Sequence, residues 1–132
     1  MITRKMYSNL QIYNMATALI QSFDSKEGAE LNFPVKVNFY LQKNMTSIVE
    51  MARDIEAKRV EIIKKYGNPS EDDAEAYVIP DDKITEASKE VNDLLELEQE
   101  VPVNMINLEW LDNIDMSAAQ VAAISFMIND EE

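Results

Sequence analysis

The chain has 132 residues, 46% hydrophobic and 28% charged, which is the size and balance of one globular domain spanning residues 1–132. It has no cysteine and no histidine. Their absence excludes disulfides, thiol nucleophiles, the common zinc sites, Ser-His-Asp triads and any histidine acid or base.

The net charge of −13 is unevenly placed, with ten basic and seven acidic residues in 1–66 against two and eighteen in 67–132. Direct contact with nucleic acid needs positive charge at the phosphates, so the expected partner is a protein, one with a basic surface. No apolar run is long enough for a membrane span, and the start lacks the apolar core and cleavage site of a signal peptide. The default expectation is a cytoplasmic protein without a membrane partner.

Two glycines and four prolines leave few places to break the chain, which favours long helices. Ser8 and Gln11 have capping-box spacing and predict a first helix over about 9–23, with Leu10, Tyr13, Ala16, Ile20 and Phe23 as its apolar face. Residues 24–32 read as a loop around Gly28.

From Pro34 to Gly67 there is neither glycine nor proline, and one long central helix of about 34–66 is the simplest reading. Leu41, Met45, Ile48, Ala52, Ile55, Ile62 and Tyr66 form a seam that Arg59 interrupts. Asp54 with Lys58, and Glu61 with Lys65, have the spacing of pairs one turn apart. At 1.5 Å per residue this helix would be about 50 Å long. Its seam is expected to pack within the chain, and the alternative is a dimer seam.

An acidic turn follows at 67–76. AYVI, residues 76–79, is a short strand candidate ended by Pro80. A third helix is predicted over about 81–100 with Ile84, Ala87, Val91, Leu94 and Leu95 as its stripe, followed by a second strand at 101–108 that would pair with AYVI. Ser117 and Gln120 repeat the capping-box spacing and open a last helix through about Ile128, with Val121, Ile124, Phe126 and Ile128 apolar. The expected fold is therefore mostly α, in the α+β sense: four helices, one of them long and central, plus a small two-stranded β-ribbon.

The acids that could bind a cation lack the glycine-centred loop and distal glutamate of an EF-hand, so a solvated acidic loop is the simpler reading. Carboxylates are so numerous that pairs at hydrolase separations would arise by chance, and no glycine-rich phosphate loop can form from two distant glycines. No catalytic, cofactor or metal residue is therefore assigned. Trp110 and the eight methionines read as core, with an interface role as the alternative. Asn44, Met45 and Thr46 form a glycosylation triplet that carries no meaning in a cytoplasmic chain.

The phrases LQIYNMATALI, PVKVNFYLQKN, EIIKKYG, VNDLLELEQEV and AAQVAAISFMI, spread over nearly the whole chain, resemble a family of small uncharacterised proteins of phages and prophages of Gram-positive bacteria. The resemblance implies a phage setting, in the host cytoplasm or in the virion, and carries no assigned residue with it. In that setting the expectation is a non-enzymatic protein acting by protein–protein contact, as an acidic inhibitor of a host nucleic-acid-binding or defence protein. The alternative is a virion structural or assembly component that oligomerises through the long helix. The surface expected to meet the partner comprises first Glu71, Asp72, Asp73, Glu75, Asp81, Asp82, Glu86, Glu90 and Asp93, and next the exposed stretch of the long helix around Arg59.

Overall fold

A computed structural model describes residues 2–23, 33–71 and 76–129. The chain order is β1 (Ile2–Ser8), α1 (Asn9–Phe23), α2 (Val35–Tyr66), β2 (Asn68–Pro69), β3 (Tyr77–Val78), α3 (Ile84–Glu96), β4 (Glu98–Asn104), β5 (Ile106–Asn107), α4 (Ala118–Ile124) and β6 (Ile128–Asn129). Short 3-10 turns at Asp81–Lys83, Leu108–Leu111 and Ser125–Met127 join them. The architecture is mostly α with small two-stranded sheets, and α2 is its long helix. The loop expected around Gly28 lies outside the described residues.

The core forms where α1, α2, α4 and β4 meet. Ile12 and Leu19 of α1, Val37, Leu41 and Ile48 of α2, Val101 and Val103 of β4, and Ile106, Ile124 and Met127 are all buried there. Most of the predicted α2 seam is confirmed, with Leu41, Ile48, Ala52 and Ile55 buried and Met45 packed beside them. The seam's apolar groups are thus covered within the chain, by α1, α3 and β4.

The face of α1 needs correction. Leu10, Tyr13 and Ile20 are exposed, whereas the stripe that enters the core is Ile12, Ala16 and Leu19, with Phe23 packed against it. The two stripes share Ala16 and Phe23, which were predicted, and differ by less than one residue's rotation of roughly 100° about the helix axis. Both have helical spacing, and the packing of α2 and α4 decides between them.

The sheet pairing also differs from expectation. β1, which follows no hydrophobic-in, polar-out alternation, is a full strand paired antiparallel with β4 from Ile2↔Asn104 to Ser8↔Glu98. Its apolar Ile2 and Met6 point outward while Thr3, Lys5 and Tyr7 are half-buried, so the usual pattern is inverted. AYVI does not pair with 101–108. Tyr77 and Val78 pair with Pro69 and Asn68 in a hairpin directly after α2. Gly67 is required there: a Cβ at this position would lie 2.8 Å from the Ile63 carbonyl oxygen and 3.3 Å from the Tyr77 Cβ. β5 and β6 pair in parallel through Ile106↔Ile128.

The third helix ends at Glu96 rather than near 100, because α1 takes over its C-terminal carbonyls. The Asn9 side chain donates to the Leu94 carbonyl at 2.8 Å, and the Asn9 backbone N–H donates to that of Leu97 at 2.8 Å. Released from the helix, Glu98 onward forms β4. The last helix likewise stops at Ile124 and tightens into a 3-10 turn before β6.

Both predicted capping boxes form. Gln11 N–H donates to Ser8 Oγ at 3.1 Å and Ser8 N–H to Gln11 Oε1 at 2.8 Å, and Ser117 and Gln120 reproduce the same geometry.

Three buried polar side chains, all amides, rivet helices to the rest of the fold. Asn9 ties α1 to α3 and also accepts from Gln99 at 2.6 Å. Gln120 donates to the Ser22 carbonyl at 3.2 Å, joining α4 to the end of α1. Asn44, fully buried on α2, holds β4: its Oδ1 accepts from the Asn104 backbone N–H at 2.7 Å, and its Nδ2 donates to the Asn104 carbonyl at 2.9 Å. A side-chain amide here takes the place of a neighbouring strand, a role that the sequence pattern did not assign to Asn44.

Candidate protein-binding surface

The predicted acids are partly brought together. Glu86, Glu90 and Asp93 follow one another at steps of four and three, so they share one flank of α3, beside the buried face that carries Ala87. Asp81 and Asp82 sit in the 3-10 turn at the start of that helix, exposed. Acids at this position also complement the helix dipole, a structural contribution independent of any partner. Glu71 is exposed in the connection between β2 and β3. Asp72, Asp73 and Glu75 lie outside the described residues.

Glu90 differs from its neighbours in having an internal partner. Lys65, at the end of α2, donates from Nζ to Glu90 Oε1 at 2.8 Å. That hydrogen bond holds the Glu90 carboxyl below its ordinary value, and the Lys65 ammonium is raised above its own by the same contact. Among the described residues, no ammonium or guanidinium pairs with Asp81, Asp82, Glu86 or Asp93, and these four exposed carboxylates outnumber Lys83 and Lys89 on the same stretch. The Asp54–Lys58 and Glu61–Lys65 pairs expected along α2 are replaced by Lys58–Glu61, Glu56–Arg59 and Lys65–Glu90. Packing against α3 redirects Lys65.

The sign of the Glu90 shift gives a testable pH window. A carboxyl whose folded pKa is depressed contributes stability that is present above its unfolded value and disappears as pH falls through the folded one. The raised Lys65 acts at the other end, its contribution persisting until pH rises through its folded value. Lys65→Met is therefore expected to move the Glu90 midpoint up toward the ordinary carboxylate value, read as a shifted acid-limb titration by carbon-detected NMR.

Arg59 does not join the acidic flank. Its guanidinium grips Glu56 through two nitrogens, with Nε 2.9 Å from Oε2, one turn back on the same helix. Glu56 is thereby held below its ordinary value, first through this hydrogen bond, and Arg59 is raised, with a smaller contribution from Tyr13 of α1.

A second group was not foreseen from the sequence. Lys36, Phe39, Tyr40 and Lys43 share one face at the start of α2, where Tyr40 stacks on Trp110 at 6.1 Å and the Lys36 ammonium lies 3.9 Å from the Trp110 ring centroid. The spacing of three, four and seven residues was the available signal. Trp110, expected in the core, is half-buried and packed against its edge.

A groove between β1, α1 and α4, about 380 Å³ in volume, is lined mainly by Tyr7, Met15, Ala18, Ala123 and Phe126. Burial pushes the Tyr7 phenol above its ordinary value, and the groove is suited to an apolar side chain. Among the described residues, no three carboxylates are close enough to hold a metal ion. No helix among them is long and apolar enough to cross a membrane.

These features define a class, a helical protein with one strongly acidic flank and a small β-ribbon. Compared with protein-family models, curated proteins and solved structures, the chain matches none.

Proposed function

We propose that the protein works without catalysis, by binding a basic surface of another protein through the acidic flank of α3. The observation that carries this reading is the set of exposed carboxylates Asp81, Asp82, Glu86 and Asp93, none of them salt-bridged among the described residues, on α3 and the 3-10 turn that leads into it. Fixed carboxylates of one sign steer a basic partner and set its orientation. In the phage setting implied by the resemblance, the partner is a host protein whose basic groove normally holds nucleic acid, and the chain acts as an acidic inhibitor in the host cytoplasm.

The test compares the native chain with a variant carrying Asp81→Asn, Asp82→Asn, Glu86→Gln and Asp93→Asn, each immobilised against lysate of infected cells. The expected result is a partner retained by the native chain, released by salt, and held roughly tenfold or more weakly by the variant. Capture of the same protein with the same salt dependence by both would sink the reading. An oligomer built on α2, the virion reading, would have to use the exposed Val35 and Phe39, since the central seam is buried within the chain.

A further inference from the structure

We infer that β1 is a docking edge for an extended segment of a partner protein, which adds antiparallel to the β1–β4 ribbon with a carboxylate facing Arg4. The direction of the backbone groups follows from the register. Pro102 lies opposite Arg4 and has no N–H to give, so this pair carries no ladder bonds. Two further observations fix the same parity. The backbone groups of Asn104, opposite Ile2, are taken by Asn44 on the far side of β4, and the N–H of Ser8, opposite Glu98, is taken by Gln11. The N–H and C=O groups of Ile2, Arg4 and Met6 therefore point away from β4.

The two edges of the ribbon are treated differently. On β4 the outward groups of Asn104 are taken by the Asn44 amide, and Pro102 has no N–H to offer. On β1, among the described residues, nothing donates to or accepts from the outward groups of Arg4 and Met6. The same three residues present Ile2, 60% exposed, and Met6, 59% exposed, on either side of Arg4. Among the described residues, Arg4 pairs with Glu100 alone, at 3.9 Å with both side chains largely in water.

An open row of donors and acceptors selects a peptide backbone. The side chains select its pattern: apolar, acidic, apolar at alternate positions, because cross-strand neighbours lie on the same face. A second copy of this chain fits poorly. The antiparallel register that pairs all three outward residues would set Arg4 directly against Arg4, and like charges opposite one another are unfavourable. This surface is separate from the acidic flank, and the proposal does not depend on that flank having a partner.

The probe is a capped peptide of sequence Thr-Val-Thr-Glu-Thr-Val-Thr, titrated into the isotope-labelled full chain. Binding should shift the amide signals of Arg4 and Met6 and slow their hydrogen exchange, and replacing the glutamate by lysine should weaken it roughly five- to tenfold. Methylating the backbone nitrogens of Val, Glu and Val should abolish binding, while methylating those of the threonines should leave it intact.

Met6→Pro should remove an outward donor, keep the β1–β4 ladder and lose the peptide. Should that variant not fold, the methylated peptides still decide on the native chain. No perturbation of the β1 amides, the reverse methylation pattern, or a symmetric dimer that broadens those signals without peptide would each overturn the inference.

Discussion

Asn44→Ala is expected to destabilise the fold by about 3 kcal/mol, seen as a lower urea midpoint with an unchanged slope. Asn44 is fully buried, and its amide satisfies both outward backbone groups of Asn104. Truncation leaves a buried N–H and a buried C=O without partners, at about 1–3 kcal/mol for each group that water cannot reach. It also opens a small void beside Met127, whose sulfur lies 3.3 Å from Asn44 Nδ2. The control is Asn104→Ala, which keeps the backbone pair and loses only the 3.2 Å side-chain bond to Asn44 Oδ1. Its cost should be about 1 kcal/mol or less. Equal costs for the two variants would mean that the side chains, not the strand backbone, are what Asn44 holds.

Asn44 also shows where sequence reading ran out. A long helix between Pro34 and Gly67, with apolar residues at threes and fours, is legible because local periodicity and the absence of breakers point the same way. A polar residue within that pattern carries no local signal of its partner, which is 60 residues away in the chain. β1 was illegible for a related reason. Its outward side is the more apolar one, Ile2 and Met6, so the strand lacks the alternation that marks a half-buried sheet, and only pairing with Val101 and Val103 on β4 makes it a strand.

The candidate surface was legible to a comparable degree. Charge counting located the acids after residue 66, and the steps between Glu86, Glu90 and Asp93 place them on one flank once α3 is a helix. Pairing was not legible. Lys65 is near Glu61 in sequence but bonds Glu90, because α3 packs against the end of α2, and Arg59 turns to Glu56. These contacts separate Glu90 from the four carboxylates that have no salt-bridge partner among the described residues.

The rotation of α1 gives the sharpest contrast, and it can be measured with two neighbouring residues. Leu19→Ala is expected to cost about 3 kcal/mol, whereas Ile20→Ala should cost about 1 kcal/mol or less. Leu19 is completely buried, so its truncation removes apolar contact and leaves a cavity bounded by side chains that cannot all move in. Ile20 is 42% exposed and lines a shallow groove with Met45 and Val49, where water or a shift of flexible methionine can fill the space. Both substitutions bring in alanine, the best helix former, so propensity favours the variant slightly in each case and the difference reports tertiary burial. Paired urea denaturation curves read that difference directly. A larger loss for Ile20 than for Leu19 would mean that α1 presents the Leu10, Tyr13 and Ile20 stripe to the core. The helix would then be turned about its axis, and Asn9 could no longer reach the carbonyl of Leu94.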